Sequence, residues 1–463
     1  MSDRRPVTEQ EALRESLRGL ETARLPATVP PAQFPIETLV PEVRQQTPAV
    51  GQRATRPDAR LHGLGQTKYI DDLALPGMLH ARIKRAGIAA ARIARIDTRA
   101  AEAMPGVMAV LTGREIPANS FGPSLQDQPV LADERVRHAG DGVAAVAAVT
   151  EEIAAQAVER IVVEYEPLPA VFDPFEAMRE DAPRVHPPAG NVYAHKIIRK
   201  GDVERALAEA DRVFEGRWTT QMVEHVPIEP HAAIAAWDAN GRLTVYSTLG
   251  RITLGRADIA RTLALPVNRV QVVGTIVGGN FGGKNEISQE PVLALLAKKA
   301  GRPVKGVFTR GEEFYASTTR HPFFMDYSTG VGRDGRIRAR KVRLVLDGGA
   351  YCSWSETTLG KACILATGPY KIEHVQVEAF AVYTNKTVAG AMRGFGAPQV
   401  CFAYESQMDE IAAALAIDPL EIRLANAFDE GAASPTGQTL ESVVVKASLE
   451  QAAARFGWRE PRS

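Results

Sequence analysis

Between residues 270 and 290 the chain changes character within a few positions. A β-branched apolar run, Val270, Val272, Val273, Ile276 and Val277, breaks into Gly278-Gly279-Asn280-Phe281-Gly282-Gly283-Lys284. The sequence predicts a helix beginning near Ser288. Four glycines in the six positions 278–283 lose much conformational freedom on folding, so such a loop needs a steric reason. Strand, glycine loop and helix together present backbone N–H groups to an anionic ligand. Phe281, the one large side chain, then has to point somewhere specific.

Literally read, Gly278-x4-Gly283-Lys284 is most of a phosphate-binding loop, but the next residue is Asn285 where magnesium ligation needs Ser or Thr. Leu344-Val345-Leu346-Asp347 imitates the acidic strand of a nucleotide-hydrolysing site, yet it reads as the second arm of a hairpin turning at Asp334-Gly335. A nucleotide hydrolase is therefore disfavoured. A second stretch, Ala391-Met392-Arg393-Gly394-Phe395-Gly396-Ala397-Pro398-Gln399, repeats the chemistry: glycines around one phenylalanine, a basic side chain, and a helix opening at Pro398 or Gln399. Either loop alone reads as a tight turn with a core phenylalanine. As a pair they point to one anionic or metal-bearing ligand.

The third stretch, Glu224-His225-Val226-Pro227-Ile228-Glu229-Pro230-His231, places two histidines and two glutamates in eight residues. Its prolines forbid a helical pair of ligands, and an extended run spreads His225, Glu229 and His231 too far apart to chelate. Hydrogen-bonded pocket walls are the expectation.

At 463 residues the chain exceeds one ordinary core. Lysine plus arginine and aspartate plus glutamate number 55 each, which leaves no electrostatic case for nucleic acid or an anionic membrane surface. No apolar run reaches the ~20 residues of a membrane span, and the charged N-terminus lacks a secretory core. Three cysteines, Cys352, Cys363 and Cys401, are too dispersed for a metal cluster and are expected to be buried small hydrophobes in a reducing cytoplasm. Any iron–sulfur centre must then sit on another chain.

Residues 1–55, with five prolines in 23–43, read as an extension or assembly arm. Residues 56–175 read as a compact α/β domain, with strands at 78–83, 107–111, 143–149 and 161–163 and a helix at 151–160. Residues 190–463 read as a larger unit. It holds an Asp202-capped helix, strands at 213–218, 243–247, 304–309, 324–330, 336–347 and 375–383, and helices at 254–263, 399–415, 418–426 and 440–455.

In this order, EHVPIEPHAAIA, GGNFGGK and AMRGFGAPQ resemble the molybdopterin-binding subunit of the xanthine oxidase (molybdenum hydroxylase) family. The earlier Gly77-Met78-Leu79-His80-Ala81 and Val163-Glu164-Tyr165-Glu166-Pro167-Leu168-Pro169 are similar to its hammerhead domain. The resemblance runs from about Arg56 to Trp458. It implies an α+β fold: an α/β hammerhead domain, then the first half of a molybdopterin-binding domain, in the split-subunit manner of nicotinate dehydrogenase. It also implies a molybdenum–molybdopterin cofactor, in its plain or cytosine dinucleotide form. The catalytic glutamate falls in the family's second half, so the base is expected on another chain, with [2Fe-2S] and FAD on further partner subunits. The implied reaction is hydroxylation of an electron-poor carbon with water oxygen, hydride passing to Mo=S or Mo=Se.

Carried over residue by residue, Gly279, Phe281, Gly282, Gly283, Arg393 and Gly394 approach the cofactor with no side chain ligating the metal, and Phe395 walls the substrate pocket. Three positions depart from the family. Val223 replaces the glutamine before Glu-His, with Gln221 upstream. Asn285 replaces the glutamate after the loop lysine, with Glu286 next. Lys361 falls near the substrate-orienting arginine. These departures disfavour a purine. Asn285 and Lys361 suit an N-heteroaromatic, nicotinate-like substrate, with a xanthine or aldehyde dehydrogenase as the alternative. A non-catalytic scaffold is a further rival, motivated by Val223 and the missing base.

Overall fold

The computed structural model describes residues 56–460. The arm expected at 1–55 lies outside the described residues. By backbone proximity the chain divides into Met1–Thr67 and Lys68–Ser463. Of the first unit the described part is a short helix, Ala59–Gly63, and its flanks.

In chain order the strands of the second unit begin with β1 (Leu79–Arg85), β2 (Ala91–Asp97), β3 (Val107–Thr112), β4 (Arg135–Val136), β5 (Gly142–Ala148) and β6 (Val162–Pro167). They continue with β7 (Val192–Lys200), β8 (Arg212–Thr220), β9 (Val223–Glu224), β10 (Ala232–Trp237), β11 (Leu243–Ser247) and β12 (Val270–Gly274). The last are β13 (Val304–Val307), β14 (Thr319–Arg320), β15 (Phe323–Val331), β16 (Ile337–Gly349) and β17 (His374–Tyr383). Six helices position the site or its frame: α1 (Glu151–Glu159), α2 (Ile252–Thr262), α3 (Glu290–Ala300), α4 (Arg310–Ala316), α5 (Ser355–Leu365) and α6 (Ala397–Leu415).

A seven-stranded sheet runs β12-β11-β10-β13-β1-β5-β3. It draws strands from both sides of the 175–190 connection, because β1 pairs in parallel with β13, Leu79 against Val304. Helix α3 covers this sheet with Val292, Leu293, Ala294, Leu296 and Ala297, all buried, at the centre of the larger core. Gly301 ends the helix in the left-handed region at φ 62°, a conformation glycine adopts without strain. A five-stranded sheet, β7-β17-β16-β15-β8, forms the second layer, backed by α5 and α6. The small sheet β4-β2-β6 and the two-stranded β14-β9 complete the framework.

Local chemistry explains most boundaries. Thr150 caps α1 by accepting from Ile153 N, and Asp202 accepts from Arg205 N before the helix Val203–Ala208. Gly335, at φ 77°, turns β15 into β16. The apolar run of 270–277 is cut short: β12 stops at Gly274, where its partner β11 stops at Ser247. The helix expected near Ser288 starts at Glu290, since the Glu290 carboxylate accepts from Ser288 N at 2.7 Å. Cys352 and Cys363 are buried as expected, but Cys401 is exposed on the outer face of α6. Strands β2, β7 and β10 and helix α5 carry no clear pattern in the sequence. Among the described residues, no helix is long and apolar enough to cross a membrane.

Candidate functional site

The segment 224–231 is a clamp between the two glycine loops. It leaves the β9–β14 pairing, passes Val226 at φ 46°, and enters β10 at Ala232. A β-branched residue in the left-handed region is strained and persists only where its surroundings over-determine it. His225 Nε2 donates to Ala391 O at 2.7 Å, gripping the second loop. Glu229 grips the first: its Oε2 accepts from Gly278 N at 2.7 Å, and its own N–H donates to Gly278 O at 3.0 Å. His231 Nε2 donates to Gly283 O at 3.1 Å, while its Nδ1 faces the buried Glu313 carboxylate at 3.0 Å. These residues hold both loops through hydrogen bonds. No group of three His, Cys, Asp or Glu able to hold a metal occurs among the described residues.

The first loop uses most of its amides on itself. Asn280 Oδ1 accepts from Gly282 N at 2.8 Å and Lys284 N at 3.3 Å. Gly283 N donates to Asn280 O and Asn285 N to Gly282 O. What remains is the N–H set of Gly279, Asn280 and Phe281, which has no protein acceptor among the described residues. The broad cradle at a helix N-terminus is therefore corrected to a shorter one. Lys284 is no phosphate ligand either. It is 1 % exposed, and its Nζ donates to Glu229 O at 2.7 Å and to Glu229 Oε2 at 3.3 Å. Burial holds its pKa below the usual lysine range, against the pull of Glu229. Asp347, the acid of the other nucleotide-site imitation, is buried and accepts from Thr384 Oγ1, Gly349 N and Lys386 Nζ.

The two loops meet backbone to backbone. Arg393 N donates to Phe281 O at 2.8 Å, and a Cβ on Gly282 would lie 2.4 Å from Ala391 O. Phe281 and Phe395 share one anomaly, φ values of 50° and 57°. Arg320 Nη2 donates to Arg393 O at 2.9 Å, and partial burial lowers the Arg320 pKa. Together His225, Phe281, Arg320, Met392, Arg393, Gly394 and Pro398 line an open concavity of about 510 Å³. Burial lowers the His225 pKa, so this side chain serves as a neutral donor to Ala391. The fixed charge facing the concavity is that of two guanidiniums.

Of the expected site residues, Phe281, Arg393 and Gly394 line the concavity, and Gly279, Gly282 and Gly283 form the loop behind it. Val223 lies opposite Arg320 in the β9–β14 pair. Phe395 tilts against Trp354, ring centroids 6.2 Å apart. The structure does not bring Asn285 or Lys361 into this lining. Asn285 sits beside Asn280 and Gly250, and Lys361 lines a separate depression with Lys196, Glu356 and Ile364 on the outer face of α5. Sequence reasoning missed Arg320, which lies in no glycine motif and reaches the site only through β9–β14 pairing. It also missed Ser353 and Trp354, whose left-handed turn (Ser353 φ 44°) has no local signature.

The comparisons bear on family and fold. Residues 185–427 match the family model of the molybdopterin cofactor-binding domain, and residues 64–169 match that of the aldehyde oxidase and xanthine dehydrogenase a/b hammerhead domain. The chain is 37% identical over 419 residues to the nicotinate dehydrogenase large molybdopterin subunit of Eubacterium barkeri, covering 89% of this chain and 98% of that one. It is 40% identical to a probable xanthine dehydrogenase subunit of Bacillus subtilis, over 80% of this chain and 50% of the other. Among solved structures, the aldehyde oxidoreductase of Desulfovibrio gigas superposes with a TM-score of 0.83 at 32% identity, covering 88% of this chain and 47% of that one. Quinoline 2-oxidoreductase of Pseudomonas putida 86 gives 0.83 at 30%, covering 88% and 54%. The chain thus spans nearly all of the first relative and about half the length of the other three. A molybdopterin group fits the donor set here: its phosphate is anionic, the concavity offers two guanidiniums, and the loop that carries Phe281 keeps amides at 279–281 without a protein acceptor among the described residues. Motifs, fold and comparisons converge: this chain belongs to the xanthine oxidase family of molybdenum-dependent oxidoreductases, as a molybdopterin-binding chain.

Proposed function

We propose that this chain is the molybdopterin-holding part of a multi-chain, cytoplasmic hydroxylase acting on an electron-poor carbon of a nicotinate-like N-heteroaromatic. The observation that carries the reading is the Arg393 N to Phe281 O bond, which fastens two glycine loops around one cationic concavity. Likeness to a nicotinate dehydrogenase subunit supports the substrate class. The chain is read as an arm (1–55), a hammerhead domain (56–175) and the first part of a molybdopterin domain (190–463). A second molybdopterin-domain subunit supplies the base, and iron–sulfur and FAD subunits take the electrons.

When bound, the molybdenum cofactor, in its plain or cytosine dinucleotide form, supplies the two-electron oxidation. The chain's own residues bind and orient. The amides of Gly279, Asn280 and Phe281 would donate to the cofactor, and Gly282 and Gly283 leave room for Ala391 O and the His225 ring to pack against the loop. Arg393 and Arg320 neutralise anionic groups, and Gly394 lets the second loop turn. Phe395 offers a flat face for an aromatic ring, backed by Trp354, and Val223 closes the pocket edge.

The test uses the co-purified complex. Molybdenum and pterin are assayed, and turnover of nicotinate, xanthine and an aldehyde is compared for wild type and R393A. Molybdenum-dependent nicotinate turnover, lost in R393A together with bound pterin, is the expected result. A complex that is active without molybdenum would sink the reading. Faster turnover of xanthine would favour the second reading, a xanthine dehydrogenase, which the 40% identity to the Bacillus subtilis chain supports.

A further inference from the structure

A cavity of about 50 Å³ borders the end of the first glycine loop at Gly283 and shares no lining residue with the concavity. Its walls include Arg85, His138, Asp141, Gly283, Glu286 and Thr318. Three of these side chains have a buried polar atom with no protein partner among the described residues: Glu286 Oε2, Arg85 Nη2 and Thr318 Oγ1. Glu286 is buried, and its other oxygen is taken by Ser353 Oγ. Buried polar groups in native proteins are nearly always satisfied, so these atoms call for an occupant of the space that their residues line.

The lining defines that occupant. It must accept from a guanidinium and also donate to a carboxylate. Arg85 disfavours a cation, and Asp141 and Glu286 disfavour an anion. A volume of about 50 Å³ excludes an organic ligand but holds on the order of three waters, at ~10–15 Å³ each.

We propose that this cavity is a water-binding, proton-exchanging site: a small ordered cluster bridges Glu286, Arg85 and Thr318 and lets Glu286 take up and release a proton beside the glycine loop. In the exchange one O–H bond breaks on the Glu286 carboxyl and one forms on a water; no electron moves. The same lining holds His138 and Asp141, paired at 3.1 Å, and Asp141 also accepts from Tyr351 Oη at 3.0 Å. The surroundings leave Glu286 able to titrate. Burial, with Asp127 and Asp258 adding to it, pushes its carboxyl up to about 7, against Ser353 and His231. Arg85, in the same lining, pairs through Nε with Glu312 at 3.1 Å. Ser353, which holds the other Glu286 oxygen, precedes Trp354, whose ring centroid lies 6.2 Å from that of Phe395 in the second loop.

Infrared difference spectra of the purified complex between about pH 5 and about pH 9 test the site. A protonated carboxyl band that disappears around neutral pH, is missing in E286Q, and shifts on mixing with D2O as fast as exposed groups exchange is the expected result. Removing a water ligand with T318V, which keeps the shape, should slow that exchange several-fold. The folded-state pKa is raised, so the group's contribution to stability is complete below the ordinary carboxylate range and is lost as pH rises through about 7. The melting temperature of wild type should therefore fall relative to E286Q over that window. A carboxyl that exchanges as slowly as core amides, or no neutral-pH band at all, overturns the proposal. Should E286Q fail to assemble, the wild-type and T318V exchange rates decide it.

Discussion

The two glycine loops resemble each other in composition and differ in what their basic residue does. Lys284 of the first is 1 % exposed and spends its charge on Glu229, whereas Arg393 of the second is exposed, lines the concavity, and is fixed only through its backbone. The first loop bonds to itself through Asn280 and to 224–231 through Glu229 and His231. The second is held by a few backbone contacts, to Phe281 O, His225 and Arg320. Similar residues thus serve as an anchor in one loop and a ligand face in the other. Both keep a phenylalanine in the left-handed region, at φ 50° and 57°, a strained conformation that persists only where the surroundings over-determine it.

Substitutions should separate the two roles, and the largest effect belongs to the anchor. Lys284→Met leaves the buried Glu229 carboxylate without its cation, a loss of about 3–5 kcal/mol. Chemical denaturation of the complex, or its failure to assemble, reads this out. A stability loss under about 1 kcal/mol would mean that Lys284 is free to serve a ligand. Next comes Gly282→Ala. Its Cβ would sit 2.4 Å from Ala391 O at φ 110°, forcing the loops apart at a cost of about 1–3 kcal/mol of backbone strain, with bound pterin lost in parallel. His225→Phe removes the donor to Ala391 O and should cost about 1–3 kcal/mol. A neutral outcome would show that backbone contacts alone hold the second loop. The smallest stability effect is expected for Arg393→Ala, less than about 0.5 kcal/mol as for ordinary surface positions, while cofactor retention falls. If Arg393→Ala unfolds the chain, the contrast between anchor and ligand face is wrong.

Much of the framework was legible because it depends on local rules. The Thr150 and Asp202 caps, the Asp334-Gly335 turn and the alternation in β15 and β16 follow from neighbouring residues alone. Strand β10, Ala232–Trp237, was not legible. It is buried at the centre of the seven-stranded sheet, between β11 and β13, so its small apolar run shows no alternation. Nor could a linear reading show that β1 pairs with β13 across more than two hundred residues. Reading the 224–231 segment as pocket wall was sound in kind, but its partners were out of reach. Lys361 was placed by spacing alone; in the fold the helical period of α5 turns Thr358 and Ala362 toward Gly396 and leaves Lys361 on the exposed face, in a depression separate from the concavity.

The sequence by itself determined the chemistry available. It carries two glycine loops that tolerate close backbone approach, one phenylalanine in each, a histidine–glutamate segment barred from helix by its prolines, and an asparagine that rules out a magnesium-binding hydroxyl after Lys284. Tertiary structure decided the assignments. Whether a lysine beside a glycine loop meets a ligand or a buried carboxylate depends on which segment folds across it, and here Glu229 does. The same holds for Glu286, two residues beyond the GGNFGGK motif, which gains its character from the burial that desolvates it. Desolvation and charge pairing are set by neighbours in space, and those neighbours lie tens to hundreds of residues away.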